Sequence, residues 1–213
     1  MHQSSYEKMF YFRDKYLHSA RFDALTILDI GSQDVNGTFK PVFDQPSWQY
    51  LGADIAAGPN VDIVISDFYR WKAMRSESVD IVISGQALEH IAYFWITMLE
   101  IARVLKPGGL CCLIAPSAGP EHKNPIDCWR YYADGFAVLA TWARLRPVEL
   151  YTQWQSREYE DGSHLWKDTF MVCEKPVYPR LASLVRRLKY RLALWGINKM
   201  APKTRVAAPS GTP

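Results

Sequence analysis

The stretch that decides the fold is VDIVISGQALEHI, residues 79–91. Its first half, VDIVIS, is a short run of mostly β-branched apolar residues, which is typical of a strand buried inside a parallel sheet. Its second half leaves that strand through Gly85 and continues into a segment with an amide, a carboxylate and an imidazole. The sequence therefore predicts a central strand whose carboxyl end carries polar side chains.

Similar short apolar runs occur on both sides of this stretch. Strands are predicted at 26–30, 48–53, 61–65, 79–84, 110–115, 149–153 and 169–173. Apolar residues at helical spacing predict helices at 5–19, 88–105 and 134–143. Residues 106–109, Lys-Pro-Gly-Gly, are expected to end the second of these helices, because proline cannot continue it. Apolar strands that alternate with helices indicate an α/β protein with a parallel sheet covered on both faces.

Composition excludes several classes of protein. The chain has 213 residues, of which 48% are hydrophobic and 22% charged, which is unlike a disordered chain, a collagen or a coiled coil. The longest apolar runs, about six residues, are far shorter than a membrane span, and the charged N-terminal segment does not resemble a secretory signal. The four cysteines form no C-x-x-C pair. No disulfide framework and no metal site are predicted, and a reduced, cytoplasmic protein is expected.

Charge divides the chain into two parts. Residues 177–213 contain eight basic and no acidic side chains, and the other residues carry 17 basic and 22 acidic side chains, a net charge of −5. We therefore expect a domain at 1–176, followed at 177–213 by a basic amphipathic helix and a flexible tail. Residues 181–195 could pack on their own domain, bind an anionic membrane on its inner face or contact a protein partner. Nucleic acid is a less favoured partner.

The carboxyl ends of the predicted strands indicate where a ligand binds. In a doubly wound sheet, ligands lie beyond these ends, near the point where the strand order reverses. Gly31 follows the first strand, and Asp54 follows the second strand, 23 residues later. An acid in that position can accept hydrogen bonds from the hydroxyls of a ribose.

Five motifs in order resemble those of class I S-adenosylmethionine-dependent methyltransferases. They are LDIGS, LGADI, ISDF, VDIVISGQALEHI and ARVLKPGGLCCLIAPS, between residues 26 and 117. The following GPEHKNPIDCWRYYADGF resembles a segment of bacterial members that modify small molecules and glycans. The resemblance implies a Rossmann-like doubly wound sheet of seven mostly parallel strands, with the last hairpin strand antiparallel and with added N-terminal and C-terminal helices. It also implies S-adenosyl-L-methionine as the cofactor.

The resemblance also implies which residues bind the cofactor: Asp29, Gly31, Ser32, Gln33, Asp54, Ile55, Asp67, Phe68, Gly85 and Gln86. The loop at Gly31 would approach the amino-acid part and Asp54 the ribose. The carboxylate of Asp67 would accept from the adenine amine while the backbone amide of Phe68 donates to the ring, and Gly85 and Gln86 would line the methionine end. For two of these residues a purely structural role remains open. Asp67 could cap a turn, and Asp29 could orient the loop by hydrogen bonds without contacting the cofactor.

The first motif departs from the family pattern. Gln33 and Val35 stand where most members have glycine, and Asn36-Gly37 follows. The turn must therefore be built differently, with Asn36 or Gly37 at positive φ. The G-x-G-x-x-G spacing of nicotinamide-binding proteins is also absent, which argues against such a cofactor.

The acceptor side of the predicted site offers several proton acceptors. His90, His122 and Asp127 are the predicted catalytic residues, and Glu89 and Glu121 are further candidates. After the fourth strand, the sequence lacks the Pro-Pro-Tyr and Pro-Cys motifs of methyltransferases that modify nucleobases. Methylation of a small molecule or glycan intermediate, at oxygen, is therefore the leading interpretation. The alternatives are a cofactor-binding scaffold or partner subunit without turnover, and an RNA or protein methyltransferase recruited by the basic tail.

Overall fold

A computed structural model describes residues 2–18, 23–179, 184–185, 188–189, 191–192, 195–197 and 199. Within them, seven strands form one sheet: β1 Thr26–Ile30, β2 Gln49–Asp54, β3 Ile63–Val64, β4 Val79–Gly85, β5 Leu105–Ala115, β6 Arg146–Thr152 and β7 Thr169–Glu174. Three α-helices accompany it: α1 Gln3–Tyr16, α2 Phe94–Val104 and α3 Ala133–Trp142. Short 3-10 helices lie at Lys40–Phe43, Leu88–His90 and Ser163–Trp166.

The strand order is β3-β2-β1-β4-β5-β7-β6. The first five strands pair in parallel, whereas β7 runs antiparallel to both β5 and β6. This arrangement confirms the predicted seven-stranded, doubly wound sheet with an antiparallel final hairpin. The order reverses between β1 and β4, so the carboxyl ends of these two strands flank the expected ligand crevice.

Two hydrophobic layers cover the sheet. On one face, buried side chains of α2 and α3, among them Met98, Ile101 and Phe136, pack against the sheet. On the other face, Met9 and Phe12 of α1 pack together with residues of the 3-10 helix at Lys40–Phe43. Each face of β1 and β4 therefore contacts apolar side chains, which explains why apolar residues point to both faces of these strands.

The connection from β4 to α2 differs from the prediction. The helix predicted at 88–105 begins only at Phe94, and Leu88–His90 instead form a 3-10 turn. Gln86 adopts a φ of 58°, and the buried side chains of Leu88 and Glu89 hold the chain in a turn against the protein. Local helical periodicity could not reveal this turn, because the contacts that fix it come from distant segments.

The start of β5 also differs from the prediction. This strand begins at Leu105, directly after α2, rather than at residue 110. The Lys106 ammonium pairs with Asp80 at 2.8 Å, and the N–H of Gly108 donates to the carbonyl of Lys175 at 2.7 Å. These long-range contacts tie the Pro-Gly segment to β4 and to the residue after β7, so it forms a bulge within the strand, with Gly108 at a φ of 80°, instead of a free loop.

The other boundaries differ from the predictions by a few residues. Helix α1 ends at Tyr16, and residue 19, its predicted end, lies outside the described residues. Strand β3 is only Ile63–Val64, β2 extends to Asp54, β6 begins at Arg146, and α3 is displaced by one residue. Such shifts arise where capping and pairing partners, rather than local pattern, decide an end.

The predicted basic helix at 181–195 is only partly within the described residues. Positions 181–183, 186, 187, 190, 193 and 194 lie outside them. The described positions are helical, and their apolar side chains are exposed: Leu184, Val185, Leu188, Leu192 and Trp195. Among the described residues, no helix has both the length and the apolarity that a membrane crossing needs.

Candidate functional site

The turn after β1 is closed by a glycine. Gly31 has a φ of 77°, and its N–H donates to the carbonyl of Ala53 at 2.9 Å. A Cβ atom at this position would lie 2.4 Å from the Cβ of Ala87. Conformation and space therefore both require glycine here, and the turn brings the backbone of the first motif against the segment that follows β4.

The altered first motif is completed by Gly37 and by the loop after β2. Gly37 has a φ of 118°, which confirms the predicted left-handed residue, and its N–H donates to the Asp34 carboxylate at 2.8 Å. The Asn60 side-chain amide donates to the carbonyl of Ser32 at 2.9 Å, and the Ser32 hydroxyl donates to the carbonyl of Asn60 at 3.0 Å. This reciprocal pair holds the loop in place of the missing glycines.

Asp54 lies at the carboxyl end of β2, with only 9% of its surface exposed. One carboxylate oxygen accepts the backbone N–H of Gln33 at 3.0 Å, and the other accepts the N–H of Ile55 at 2.7 Å. Both oxygens keep free lone pairs, because a carboxylate offers about four acceptor sites. The side chain is therefore fixed in place and still able to accept hydrogen bonds from a ligand.

Asp29 lies beneath this loop, inside β1. Its carboxylate accepts a hydrogen bond from the Tyr50 hydroxyl, to which the Asn60 amide also donates at 3.3 Å. Burial raises the pKa of Asp29 to about 7, although the Tyr50 hydrogen bond opposes the shift. Asp29 is 3% exposed and joins the two loops through Tyr50, an arrangement that favours the interpretation in which it orients the loop.

Asp67 and Phe68 form a turn after β3. The exposed Asp67 carboxylate accepts the N–H of Tyr69 at 2.9 Å, which is the geometry of a capped turn. The carbonyl of Phe68 accepts from the Trp71 indole at 2.9 Å and from the Thr97 hydroxyl at 3.2 Å. Asp67 therefore caps the turn, and its exposed second oxygen is available to a ligand.

Gly85 and Gln86 end β4 beside α1. A Cβ atom at Gly85 would lie 2.6 Å from the ring of Phe39, so this position also requires glycine. The Gln86 amide nitrogen donates to the Ser5 hydroxyl and to the Asp168 carboxylate, both at 2.9 Å. Gln86 thus links β4 to the N-terminal helix, a role that the sequence motif did not indicate.

Three proton acceptors converge just beyond Gln86. Glu89, His90 and His122 each place one ligand atom within 4.8 Å of the others, and we call these three residues the acceptor cluster. Glu89 is fully buried, and neither of its carboxylate oxygens has a hydrogen-bond partner. Burial raises the pKa of Glu89 to about 8. Buried polar groups are normally paired, so this orphaned carboxylate marks the cluster as unusual.

The two imidazoles of the acceptor cluster lie edge to face. Their ring centroids are 4.9 Å apart, and His122 also contacts the Trp166 ring at 4.6 Å. The Nδ1 atom of His90 faces the backbone carbonyl of Ile126. A carbonyl can only accept, so Nδ1 carries the proton and Nε2 presents a lone pair. Burial lowers the pKa of His90, which favours its neutral form.

Asp127 has a different environment from the acceptor cluster. The Arg130 guanidinium donates two hydrogen bonds to the Asp127 carboxylate, at 2.6 and 2.8 Å. The backbone N–H of His122 donates a third, at 2.8 Å. The Arg130 pair holds the pKa of Asp127 far below its usual range. Asp127 therefore positions the His122 loop, and it is a poorer proton acceptor than the histidines.

Aromatic side chains surround the mouth of this region. Trp129 packs edge to face on Phe94, 5.2 Å between centroids, and its indole donates to the carbonyl of Ala92 at 3.1 Å. Tyr131 is buried, and its hydroxyl donates to the carbonyl of Leu88 at 2.8 Å. The predicted aromatic run therefore packs mainly against the β4–α2 connection. A separate cavity of about 590 Å³ lies elsewhere, beside Arg103, Pro107 and Lys175.

Sequence reasoning gave too little weight to some residues of the site. Asn60 and Tyr50 carry no motif, and only the packing of the loops after β1 and β2 reveals them. Glu89 was one candidate among several, and its complete burial without a partner distinguishes it from Glu121, which is exposed and pairs with Lys123 at 3.3 Å. Burial of a particular acid in a turn leaves no local sequence signal.

Comparisons with known proteins agree with this geometry. A family model described as "Methyltransferase domain" matches residues 28–113. An uncharacterized methyltransferase of Mycobacterium avium is 35% identical over 134 residues, which are 56% of this chain and 50% of the relative. The match to the family model covers the β1 turn, Asp54 and the connection from β4 to β5. The sequence match and the fold together support a class I S-adenosylmethionine-dependent methyltransferase. The chain spans about half the length of the curated relatives that it matches.

Solved methyltransferase structures share the fold. The N1-methyltransferase for 1,6-didemethyltoxoflavin from Burkholderia thailandensis has a TM-score of 0.59 at 16% identity, covering 82% of this chain and 85% of the other. The [4+2]-cyclase SpnF has a TM-score of 0.62 at 14% identity, with 83% of each chain covered. At these identities the likeness concerns the fold alone, and a fold can host more than one chemistry.

The residues of the site fit S-adenosylmethionine, the cofactor of class I methyltransferases. Asp54 presents free carboxylate lone pairs at the carboxyl end of β2, in the position that suits a ribose. The obligatory glycine at 31 lets the backbone of the first loop approach a ligand. The switch point between β1 and β4 lies directly beside both.

Proposed function

We propose that this methyltransferase domain transfers a methyl group to a hydroxyl oxygen of a small molecule or glycan intermediate. The observation that carries the proposal is the acceptor cluster of Glu89, His90 and His122. Glu89 and His90 follow β4, the strand that flanks the switch point together with β1, and His122 joins them from the loop after β5. Methylation of a hydroxyl releases a proton, and this cluster concentrates groups that can take it.

The cofactor half of the proposal rests on the loops after β1 and β2. S-adenosylmethionine supplies an activated methyl group when it is bound. Asp54 would accept hydrogen bonds from its ribose hydroxyls, and the turn at Gly31 would contact its amino-acid portion. Asp67, with its exposed carboxylate oxygen, would bind the adenine amine beside the backbone of Phe68. Asp29 and Tyr50 would keep the two loops in register beneath these contacts.

His90 is the best candidate to receive the proton. Its Nδ1 atom is committed to the carbonyl of Ile126, so the Nε2 lone pair is the free one. Its lowered pKa keeps that lone pair available at neutral pH. The Oε1 atom of Glu89 lies 3.8 Å from Nε2, the nitrogen that would take the proton, so an ionised Glu89 would stabilise the imidazolium that forms.

The choice of acceptor class rests on the mouth of the site. Trp129 is 37% exposed there, and Arg130 lies over the Trp166 ring, with 5.9 Å between the guanidinium carbon and the ring centroid. Flat apolar faces beside a fixed Asp127–Arg130 pair suit a sugar or another polar ring, which needs stacking area and hydrogen bonds together. An amine acceptor would have less need of the acceptor cluster.

The test is transfer of a tritiated methyl group into fractionated extract of the source organism. We expect the label in a small molecule or a glycan fraction, in an ether linkage that survives treatment with mild base. Label in RNA or protein would overturn the proposed acceptor class. Cofactor binding without label in any fraction would favour the non-catalytic scaffold, and the cyclase SpnF shows that such folds have other uses.

The basic tail adds a proposal about location. We propose that it holds the domain against an anionic membrane surface, on the cytoplasmic side. The exposed Leu188, Leu192 and Trp195 would insert among the lipids, and Lys189 and Arg191 would bind headgroups. Exposure of these apolar side chains is unfavourable in water, and it supports a surface partner more than a helix packed on its own domain.

A further inference from the structure

We infer that the acceptor cluster is a binding site for a divalent transition metal of the zinc class, with Glu89, His90 and His122 as its ligands. The set contains one carboxylate and two imidazoles. This donor set is typical of catalytic zinc sites, in which three protein ligands leave one position open. Imidazole donors favour zinc and its neighbours, whereas magnesium and calcium prefer sites made of oxygen alone.

The strongest evidence is the carboxylate of Glu89. Both of its oxygens are buried without a hydrogen-bond partner, although the residue is completely inaccessible to water. A buried carboxylate without a partner is costly, and a cation is the partner that would relieve that cost. The nearest ring nitrogen, Nε2 of His90, lies 3.8 Å from Oε1, which is close to the roughly 3.4 Å between neighbouring ligands on a tetrahedral zinc ion.

His90 has the supporting contact that a metal ligand has, and His122 lies beside a carboxylate. The Nδ1 proton of His90 faces the carbonyl of Ile126, which leaves Nε2 free to coordinate. The Nδ1 atom of His122 lies 3.3 Å from the Asp127 carboxylate, within ion-pair distance but without a hydrogen bond, and Arg130 holds that carboxylate in place. Metal-binding histidines commonly direct their second ring nitrogen to a carbonyl or a carboxylate, and these partners fix the ring for coordination.

The position of the cluster gives the metal a use. His122 is on the loop after β5, and 34% of its side chain is exposed, so the cluster opens towards the mouth of the site. A metal there would bind an oxygen of the acceptor and make its hydroxyl more acidic, so that the proton could leave to solvent water before transfer. With metal bound, this would replace proton acceptance by His90, because Nε2 of His90 cannot hold a metal and take a proton at the same time. This use rests on the proposed methyl transfer, whereas the binding itself does not. The acceptor would then be a compound with a hydroxyl oxygen able to coordinate zinc.

The test is calorimetric titration of the full chain, freed of metal by a chelator, with zinc sulfate. We expect one ion per chain in the wild type and in His18→Gln, which removes an exposed histidine remote from the cluster. Glu89→Gln and His122→Gln should each weaken binding at least about tenfold. Magnesium sulfate should give no comparable binding. A zinc-dependent rise in the melting temperature should follow the same pattern, because a ligand that binds only the folded state stabilises it.

Several results would overturn the inference. They are absence of zinc binding to the wild type, binding that survives both substitutions, and binding that is lost in Cys128→Ser, since Cys128 is an exposed thiol close in sequence. His122→Gln decides the matter if Glu89→Gln fails to fold, because His122 lies on a partly exposed loop. The titration contains neither cofactor nor acceptor, so its failure would leave the proposed methyl transfer standing. Zinc binding without any methyl transfer would overturn the proposed function alone.

Discussion

The two halves of the site differ in how their polar groups are satisfied. On the cofactor side, Asp54, Asn60 and Ser32 all hydrogen bond within the loops that carry them. On the acceptor side, neither carboxylate oxygen of Glu89 has a hydrogen-bond partner, and Nε2 of His90 makes no hydrogen bond. We call the loops that carry Ser32, Asp54 and Asn60 the cofactor cradle, and its hydrogen bonds are already made within the protein. The second half, the acceptor cluster, lacks contacts that a proton, a metal or an acceptor would supply. The cradle should therefore determine affinity for the cofactor, and the acceptor cluster should determine the rate.

The largest effect should follow from removal of an imidazole. His90→Ala is expected to lower turnover by ~10²–10⁴ with cofactor affinity largely kept, the range for loss of a general base. Tritium transfer into the active extract fraction measures the rate, and calorimetry measures the affinity. The same assay applies to His122→Ala, whereas Asp127→Ala should act indirectly, through displacement of the His122 loop.

His18→Ala is the control for these variants, since His18 is exposed and lies away from both halves of the site. A loss confined to cofactor affinity in His90→Ala would move His90 into the cradle. Unchanged rates of methyl transfer in His90→Ala, His122→Ala and Asp127→Ala would remove the general-base step and favour an amine acceptor.

The next effect concerns Asp29 and appears as a dependence of stability on pH. Its folded-state pKa, about 7, lies above its ordinary value, so the protonated form is favoured by folding. Its contribution to stability is complete below about pH 4 and is lost as the pH rises through 7. As the pH is raised from 5 to 8, the free energy of unfolding of Asp29→Asn should therefore increase relative to that of the wild type by on the order of 2–4 kcal/mol.

Urea denaturation at the two pH values measures this gain. The exposed Asp44→Asn should show no such change with pH. An Asp29→Asn variant that is equally destabilised at both values would mean that the hydrogen bond from Tyr50, and not the burial of charge, governs this position.

A smaller effect is expected for the ribose acid. Asp54→Ala should weaken binding of S-adenosylmethionine by about 1.5–3 kcal/mol, the range for hydrogen bonds to a charged group. Calorimetry on the folded variant measures the loss, with Asp44→Ala as the matched surface control. Unchanged affinity would remove Asp54 from the cradle.

The smallest effect on the chemistry should come from the tail. A chain ending at Pro176 should lose binding to anionic vesicles while it keeps methyl transfer to a soluble acceptor, because every cofactor motif precedes residue 117. Each basic side chain near such a surface contributes ~1 kcal/mol, so the binding of the full chain should weaken as salt is added. Vesicle flotation decides the question. No binding at low salt, or unfolding of the shortened chain, would assign the tail to the domain instead.

The cradle was largely predictable from sequence, and the reason is physical. A parallel strand that ends in glycine, followed about twenty residues later by a strand that ends in an acid, fixes both groups at one edge of the sheet. The structure places Gly31 and Asp54 at that edge, and Gly37 adopts the positive φ that the altered motif required. Asn60 was not predictable, since its role depends on how two loops pack.

The acceptor cluster was predictable only in its membership. The sequence identified His90 and His122, with Asp127, as the predicted catalytic residues and Glu89 only as a further candidate. The separation of His122 from His90 and Glu89, 32 and 33 residues along the chain, gives no sign that His122 returns to the other two. The burial of Glu89 depends on the 3-10 turn at Leu88–His90, which helical periodicity had assigned to α2.

The separation of the two halves can be tested by one titration of the transfer rate with S-adenosylmethionine. For Asp54→Ala, the account predicts that the rate of tritiated methyl transfer returns to near the wild-type value at saturating cofactor, because only affinity is impaired. For His90→Ala, the rate should stay ~10²–10⁴ below wild type at every cofactor concentration. Recovery of the His90→Ala rate at high cofactor, or failure of Asp54→Ala to recover, would contradict the division of the site into a cofactor cradle and an acceptor cluster.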